Sequence, residues 1–269
     1  MSQALVDDDL WTRIEPLLPK RRPRHRQYAG RTPIPDRAVL TGILFVLRSG
    51  IPWNMLPTEM GCGCGSTCWR RLLRWQRAGV WKRLHAVLLT ELRRRGDLDL
   101  ARAVVDSASL RALRGGKKTG PNPTDRRKAG SKHHVLTDAQ GIPIVARLTA
   151  ANRNDISELL NLVDAMPPIG GRPGPPCRKP GIVQGDRGYD SERHRAELRQ
   201  RGITPVLARR YRPHGSGLGR TRWVVERTLA WLHRFRRLNV RYERRPCVHE
   251  AFLTLACALV CWYFLKPVS

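Results

Sequence analysis

Arg102-Ala103-Val104-Val105-Asp106 is a short apolar run with β-branched residues at its centre and a carboxylate at its end. It predicts a buried strand over residues 102–106 that delivers an acid to a sheet edge, not to a solvated face. Residues 132–137 and 142–149 alternate about Asp138-Ala139-Gln140-Gly141, which predicts a β-hairpin. Residues 181–184 predict another strand. It leads into Gly185-Asp186-Arg187-Gly188-Tyr189, where an acid again follows a strand and the glycines permit a tight turn and close approach of a ligand. A further strand is expected near residues 203–207. Helices are expected over 156–166 with Asp155 as N-cap, and over 191–201, 222–238 and 248–265. A hairpin and strands interleaved with helices predict a mixed α/β sheet.

Upstream of this region the pattern is helical. Leu10, Trp11, Ile14, Leu17 and Leu18 recur at helical spacing, and a basic loop or arm follows over residues 20–31. Pro35-Asp36 opens a second helix that Gly50 stops. Ser66 is the expected N-cap of a third helix over 69–76, and Gly79 separates it from a fourth over 80–95. The third helix carries Arg70, Arg71, Arg74 and Arg77, which suits a helix-turn-helix-like module entering a major groove and equally suits a solvated helix face. Gly96-Asp97 predicts the boundary between a helical domain, residues 1–97, and a mixed α/β domain, residues 98–269.

The charge narrows the class of partner. Fifty Lys and Arg against 22 Asp and Glu leave a formal net charge of +28, far beyond what solubility alone favours. Both domains are basic, so a polyanion is expected along the whole chain. Arg far outnumbers Lys, which suits bidentate phosphate contacts, and eight Trp add flat surfaces for sugars or bases. No basic segment precedes an apolar run at the N-terminus, so a cytoplasmic location is expected. The apolar stretch 251–265 is short for a bilayer and reads as a buried helix, so no membrane partner is expected. The seven Cys fit a reducing compartment; Cys62, Cys64 and Cys68 lack the paired spacing of structural zinc and read as unligated thiols.

Three acids stand in unusual places. Asp106 and Asp186 each follow an apolar run, at the kind of sheet edge where α/β proteins put their sites. Glu226 is the only acid between Glu197 and Glu243, a stretch otherwise rich in arginine. At about 100° per residue, Val224, Thr228, Trp231, Phe235 and Leu238 share an apolar face, with Arg222, Glu226 and His233 roughly opposite. Turn or helix caps would also explain Asp106 and Asp186, and an i,i+4 pair with Arg222 would explain Glu226. Carboxylates from separate elements that clamp two divalent ions are what phosphoryl transfer in DNA requires. Asp138, Asp155, Asp190 and Glu192 are rival acids, each accounted for by a hairpin turn, an N-cap or a first helical turn. His133 and His134, adjacent on a strand, point to opposite faces and read as polar or DNA-facing. Residues 114–132, with Lys117, Lys118, Arg126, Arg127 and Lys132, read as a mobile basic loop that contacts phosphate or is disordered.

Four ordered blocks carry a family resemblance: Val104-Val105-Asp106-Ser107, Gly130-Ser131-Lys132-His133-His134, Gly185-Asp186-Arg187-Gly188-Tyr189 and Arg222-Trp223-Val224-Val225-Glu226-Arg227-Thr228. With Gly50-Ile51-Pro52-Trp53 and Cys68-Trp69-Arg70-Arg71 upstream, nearly the whole chain resembles the DDE transposases of the insertion sequence five family, in the insertion sequence four/five superfamily. The resemblance implies an RNase H-like catalytic domain with Asp106, Asp186 and Glu226 as the triad holding two Mg2+ or Mn2+ ions. It also implies double-stranded DNA, both terminal inverted repeats and target, as the partner. A related group has the pattern Tyr-x2-Arg-x3-Glu-x6-Lys for gripping phosphates. Arg222 and Glu226 match it, whereas positions 219 and 233 are Gly and His, with Tyr211 or Arg220 as substitutes. Arg187, Arg220, Arg222 and His233 are the expected phosphate contacts near the triad. A dimer or larger synaptic complex is expected because two DNA ends must meet. A DNA-binding regulator without chemistry and a nuclease without strand transfer are the alternative functions.

Overall fold

The computed structural model describes residues 4–20, 32–211 and 219–266, and of residues 219 and 220 the backbone alone. Most of the basic arm expected over 20–31 therefore lies outside the described residues, as does the side chain of Arg220.

Four helices form the first part: α1 (Asp8–Ile14), α2 (Asp36–Ser49), α3 (Gly65–Arg77) and α4 (Val80–Arg95). Asp7 caps α1, its Oδ1 accepting from the Leu10 N–H at 2.8 Å. The expected apolar positions of α2 are all buried, and Gly50 ends the helix at φ 75. α3 starts earlier than its sequence suggests: Cys64 occupies the N-cap position and Ser66 lies inside the first turn. Here the Gly65 backbone lies against the Trp53 carbonyl, where a Cβ would come within 1.7 Å of that oxygen. Only glycine permits this approach.

The sheet holds β1 (Arg102–Ala112), β2 (Gly120–Pro121), β3 (Ala129–Asp138), β4 (Pro143–Ala150), β5 (Ile182–Gly185), β6 (Thr204–Leu207) and β7 (Val240–Arg241). The order β2-β3-β1-β5-β6, with β4 on β3 and β7 on β1, mixes antiparallel and parallel pairs. β1 runs six residues past its expected end, because β3 pairs with it from Ala103 to Arg111. On its other side β5 pairs only as far as Val104, and β7 takes over at Arg111. Asp106 thus stands mid-strand, beside a gap between two parallel partners.

Residues 114–132 form an ordered strap, a correction to the expected mobile loop. β2 pairs with β3, Arg111 holds Asp125 at 2.7 Å, and Arg241 donates to the carbonyls of Lys117 and Lys118 at 2.7 and 2.9 Å. Burying Arg241 requires those acceptors, so the strap is organised from the far side of the sequence.

Helices α5 (Ile156–Asp164) and α6 (Glu192–Gln200) follow, and Ser191, expected as the first residue of the second, instead caps it, accepting from the His194 N–H at 3.4 Å. The helix expected over 222–238 is two pieces, α7 (Gly219–Arg234) and α8 (Arg236–Asn239), separated where Phe235 adopts an extended conformation. Its buried face also differs: Val225, Leu229 and Leu232 join Val224, Thr228 and Phe235 inside, whereas Trp231 is only half-buried. The final helix, α9 (Pro246–Leu265), is long and apolar enough to cross a membrane by length and composition, but 78% of its apolar 18-residue window is buried within the protein. It packs on α3, α4 and β4, and one hydrophobic cluster runs from α1 through the sheet to α9. Among the described residues all seven cysteines are free; Cys62 and Cys68 pack against Gly42, and Cys64 is exposed.

The adjacent histidines of β3 do point to opposite faces, yet neither face is open: both are fully buried, so they do not meet DNA. His133 stacks on His249, with Nε2 to Nε2 2.8 Å apart, and His134 bonds Thr149 Oγ1 at 2.7 Å. Burial pushes His134, and His85 of α4, down to about 4. Because these values lie below that of an unfolded histidine, the unfolded chain protonates first. The resulting stability is complete above pH 6.5 and is lost as pH falls toward 4, on the order of 3 kcal/mol per residue. His85→Gln should therefore flatten the fall in denaturant midpoint over that window. A profile parallel to that of the wild type would refute this.

Candidate active site

Three elements remote in the chain converge beside the gap in β1. Asp106 comes from β1, Asp186 from the turn after β5, and Glu226 from α7. The placement of α7 follows from its packing. Val224 and Val225 meet Val104 of β1 in a small apolar cluster, and Thr221 exchanges hydrogen bonds with the Gln184 amide of β5 at 2.9 and 3.1 Å. At the other side Thr228 and Arg227 donate to the carbonyls of Gly141 and Gln140 in the β3–β4 turn.

Arg222 stands at the centre of the acids. Its guanidinium lies 2.9 Å from Glu226 Oε1, 3.5 Å from Asp186 Oδ2 and 3.9 Å from Asp106 Oδ2. The i,i+4 pairing with Glu226 is present, and it is one arm of a three-carboxylate cluster. Burial works against the Arg222 charge, but the Glu226 bond and the fields of Asp106 and Asp186 outweigh it and raise its pKa. Asp106 is the enclosed member. Burial first, and then the like charges of Asp186 and Glu226, push it up to about 6 against the opposing Ser107 N–H and Arg222.

Each strand-derived carboxylate has one oxygen fixed by backbone. Asp106 Oδ1 accepts from the Ser107 N–H and Asp186 Oδ1 from the Gly188 N–H, both at 2.8 Å, which leaves each Oδ2 toward the common centre. The turn-cap reading of Asp186 is thus true of one oxygen and silent about the other. The glycines around Asp186 have no positive φ. They are small for packing reasons: a Cβ on Gly185 would press on Val105, Tyr189 and Leu207, and one on Gly188 would press on the Asp186 carboxylate.

Asp155 is a correction. It precedes α5, but its side chain makes no cap bond. It accepts instead from Ser107 Oγ at 2.7 Å and Lys132 Nζ at 2.9 Å, with His134 Nδ1 at 3.8 Å. Nothing local reveals this, since the same acid suits a cap and a buried ion pair. Lys132 is accordingly a half-buried partner of Asp155 and not part of a mobile loop. Asp138 is a turn acid as expected, accepting from the N–H groups of Asp99, Gln140 and Ile142.

The expected DNA contacts divide. Arg70, Arg74 and Arg77 are exposed on α3 and line a cavity of about 400 Å³ together with Arg245, a residue the sequence did not single out. Arg71 instead pairs with Asp36 and ties α3 to α2. Lys117, Lys118, Arg126 and Arg127 are exposed on the strap, Lys118 in an ion pair with Glu250 at 2.6 Å. Arg187 is partly exposed in the turn beside Asp186. His233 turns inward, its Nε2 3.4 Å from His133 Nδ1, because α7 presents that face to β3. Tyr211 is fully exposed at positive φ.

The comparisons with known proteins identify the family. Residues 98–261 match the family described as "Transposase DDE domain", and residues 6–85 match "Putative transposase of IS4/5 family". The chain belongs to the DDE transposases of the IS4/5 family. A relative in Burkholderia cepacia, "Putative transposase for insertion sequence element IS402", is 62% identical over 152 residues, which span 56% of this transposase and 72% of that protein. A second product of the same bacterium, "Insertion element IS402 uncharacterized 16.2 kDa protein", is 56% identical over 46% of the transposase and 84% of its own length. Among solved structures, the catalytic domain of Mos1 mariner transposase covers 74% of the transposase and 96% of itself at 14% identity. Its TM-score is 0.27, too slight to support an inference.

Proposed function

We propose that this DDE transposase binds the terminal inverted repeats of its element, cuts them by metal-activated hydrolysis and transfers the freed 3′-hydroxyl into target DNA. The observation that carries the proposal is the enclosure of one cationic group by Asp106, Asp186 and Glu226, contributed by three separate elements. Residues 98–269 act as the RNase H-like catalytic domain. Residues 1–97 serve as the helix-turn-helix-like DNA-binding domain, with α3 facing the groove through Arg70, Arg74 and Arg77.

Three carboxylates around one positive centre are the donor set of a hard divalent ion. Among the described residues no three acidic, His or Cys side chains stand at metal-ligand spacing, and the Arg222 guanidinium lies among the three acids. Asp106, Asp186 and Glu226 would hold two Mg2+ or Mn2+ ions. Such ions would supply an activated oxygen nucleophile and stabilise the leaving oxygen.

The chain's own residues do the rest. Ser107 and Gly188 N–H groups orient the two aspartates, and α7 carries Glu226 together with Arg222, whose fork matches a phosphate. In the first step a water oxygen bonds to phosphorus as the P–O3′ bond breaks. In the second that 3′-oxygen bonds to a target phosphorus and displaces its own 3′-oxygen. Two ends are brought together by a dimer or larger assembly in the cytoplasm. Incubation with the DNA flanking the reading frame and Mg2+ should yield cuts at the repeat ends that a chelator abolishes. Uncut DNA with retained binding would favour a regulator, and cuts without joined products would favour a nuclease.

A further inference from the structure

Between α2, the second half of α7 and the end of α9 lies an open cavity of about 740 Å³. Trp231, Tyr263 and Phe264 give it an aromatic wall, and Arg48, Arg227 and Arg234 stand among them. Trp231 and Phe264 meet edge to face with centroids 5.6 Å apart. Two of the cations are already set on aromatic faces: the Arg227 guanidinium carbon lies 4.5 Å from the Trp231 ring, and that of Arg48 lies 6.0 Å from the Tyr263 ring, whose hydroxyl it also holds. No carboxylate among the described residues lines the space.

A hydrophobic core would have closed over Trp231, which the helical periodicity of α7 predicts to be inside. Here it faces a space large enough for an organic ligand, and Tyr263 is 44% exposed. Flat rings interleaved with guanidinia, without acids, complement a ligand that is aromatic and anionic at once. Duplex DNA keeps its base faces stacked inside and offers phosphates, sugars and base edges, but no open ring face. A second copy of the chain would bring a net charge of +28 against this rim. An unpaired DNA strand meets both requirements, its bases stacking on the rings and its phosphates on the arginines.

The geometry points to this cavity as a binding site for unpaired nucleotides of a DNA strand. Arg227 directly follows Glu226 on α7, and Trp231, Arg234 and Phe235 carry the cavity further along the same helix, on a face roughly 100° or more round from Glu226. The choice of DNA as partner rests on the transposase reading, whereas the preference for unpaired strand rests on the cavity.

The test uses the full chain with a short fluorescent oligothymidylate and a blunt duplex of equal length as probes. The double variant Tyr263→Ala with Arg234→Ala should weaken oligothymidylate binding by roughly ten- to a hundredfold and duplex binding by less than about twofold. Tyr263→Phe, which keeps the ring, should bind as the wild type does. The exposed Arg234→Glu alone serves if the double variant melts early, and it should show the same selective loss. Equal loss on both probes, or loss on neither, overturns the site, as does a change of oligomeric state that would assign the cavity to a second copy. The catalytic reading is judged separately. Selective oligothymidylate loss in a protein that never cuts end DNA would sink that reading alone, and cutting without selectivity would sink the cavity alone.

Discussion

Asp106→Asn and Glu226→Gln should each leave binding to the element's end DNA within about threefold of wild type while lowering Mg2+-dependent nicking by roughly a thousandfold or more. The amide keeps the shape of the carboxylate, so the Ser107 N–H still finds an acceptor at residue 106 and α7 keeps its packing on β1. What the amide lacks is the negative charge that holds a cation. The Asp106 substitution carries a second expectation. Burial already pushes this carboxyl up to about 6, so its ionised form destabilises the folded protein at neutral pH. The Asp106→Asn protein should therefore melt no lower than wild type, which separates lost chemistry from lost structure. Nicking by either variant in Mg2+ would end the triad assignment.

The second large effect is on stability. Arg241 is 1% exposed, and its guanidinium donates to the carbonyls of Lys117, Lys118, Glu243 and Arg244 and to the hydroxyls of Thr119 and Ser131. Arg241→Met fills much of the same volume but leaves those acceptors unpaired. A loss on the order of 3–5 kcal/mol is expected, read as a lower denaturant midpoint with an unchanged slope. Limited proteolysis should then cut within residues 114–128 faster than in wild type. Arg241→Lys should rescue little, because an ammonium lacks the planar fork that reaches acceptors on both sides. A variant as stable as wild type, with an uncut strap, would show that the strap holds itself together.

These two residues mark where sequence reasoning reaches and where it stops. Asp106, Asp186 and Glu226 were legible because each departs from its surroundings: two acids close apolar runs, and one stands alone among arginines. Arg241 gave no such signal, being one basic residue among many in a chain of net charge +28. The same crowding explains the misplaced contacts. Arg71 shares α3 with Arg70, Arg74 and Arg77, and only the position of Asp36 on α2 removes it from the exposed face. Asp155 looked like a helix cap since its local context suits one, and Ser107 and Lys132 claim it across the sheet. His133, His134 and His233 are polar by type, which suggests a surface, yet they pair with His249, Thr149 and one another, the first two fully buried and His233 partly so.

Local chemistry along the chain determined the helices of the first half, the β3–β4 hairpin, the basic charge of both parts and which three acids stand out from their surroundings. Apolar periodicity, turn residues and net charge are properties of neighbouring residues, and they survive in one dimension. The tertiary structure alone decided the length of β1, the strap closed by Arg241, the inward histidines and the placement of Arg222 among all three carboxylates. Each of those depends on which distant group supplies the hydrogen bond or counter-charge that a buried polar atom must have, and distance in space is not written in the order of residues.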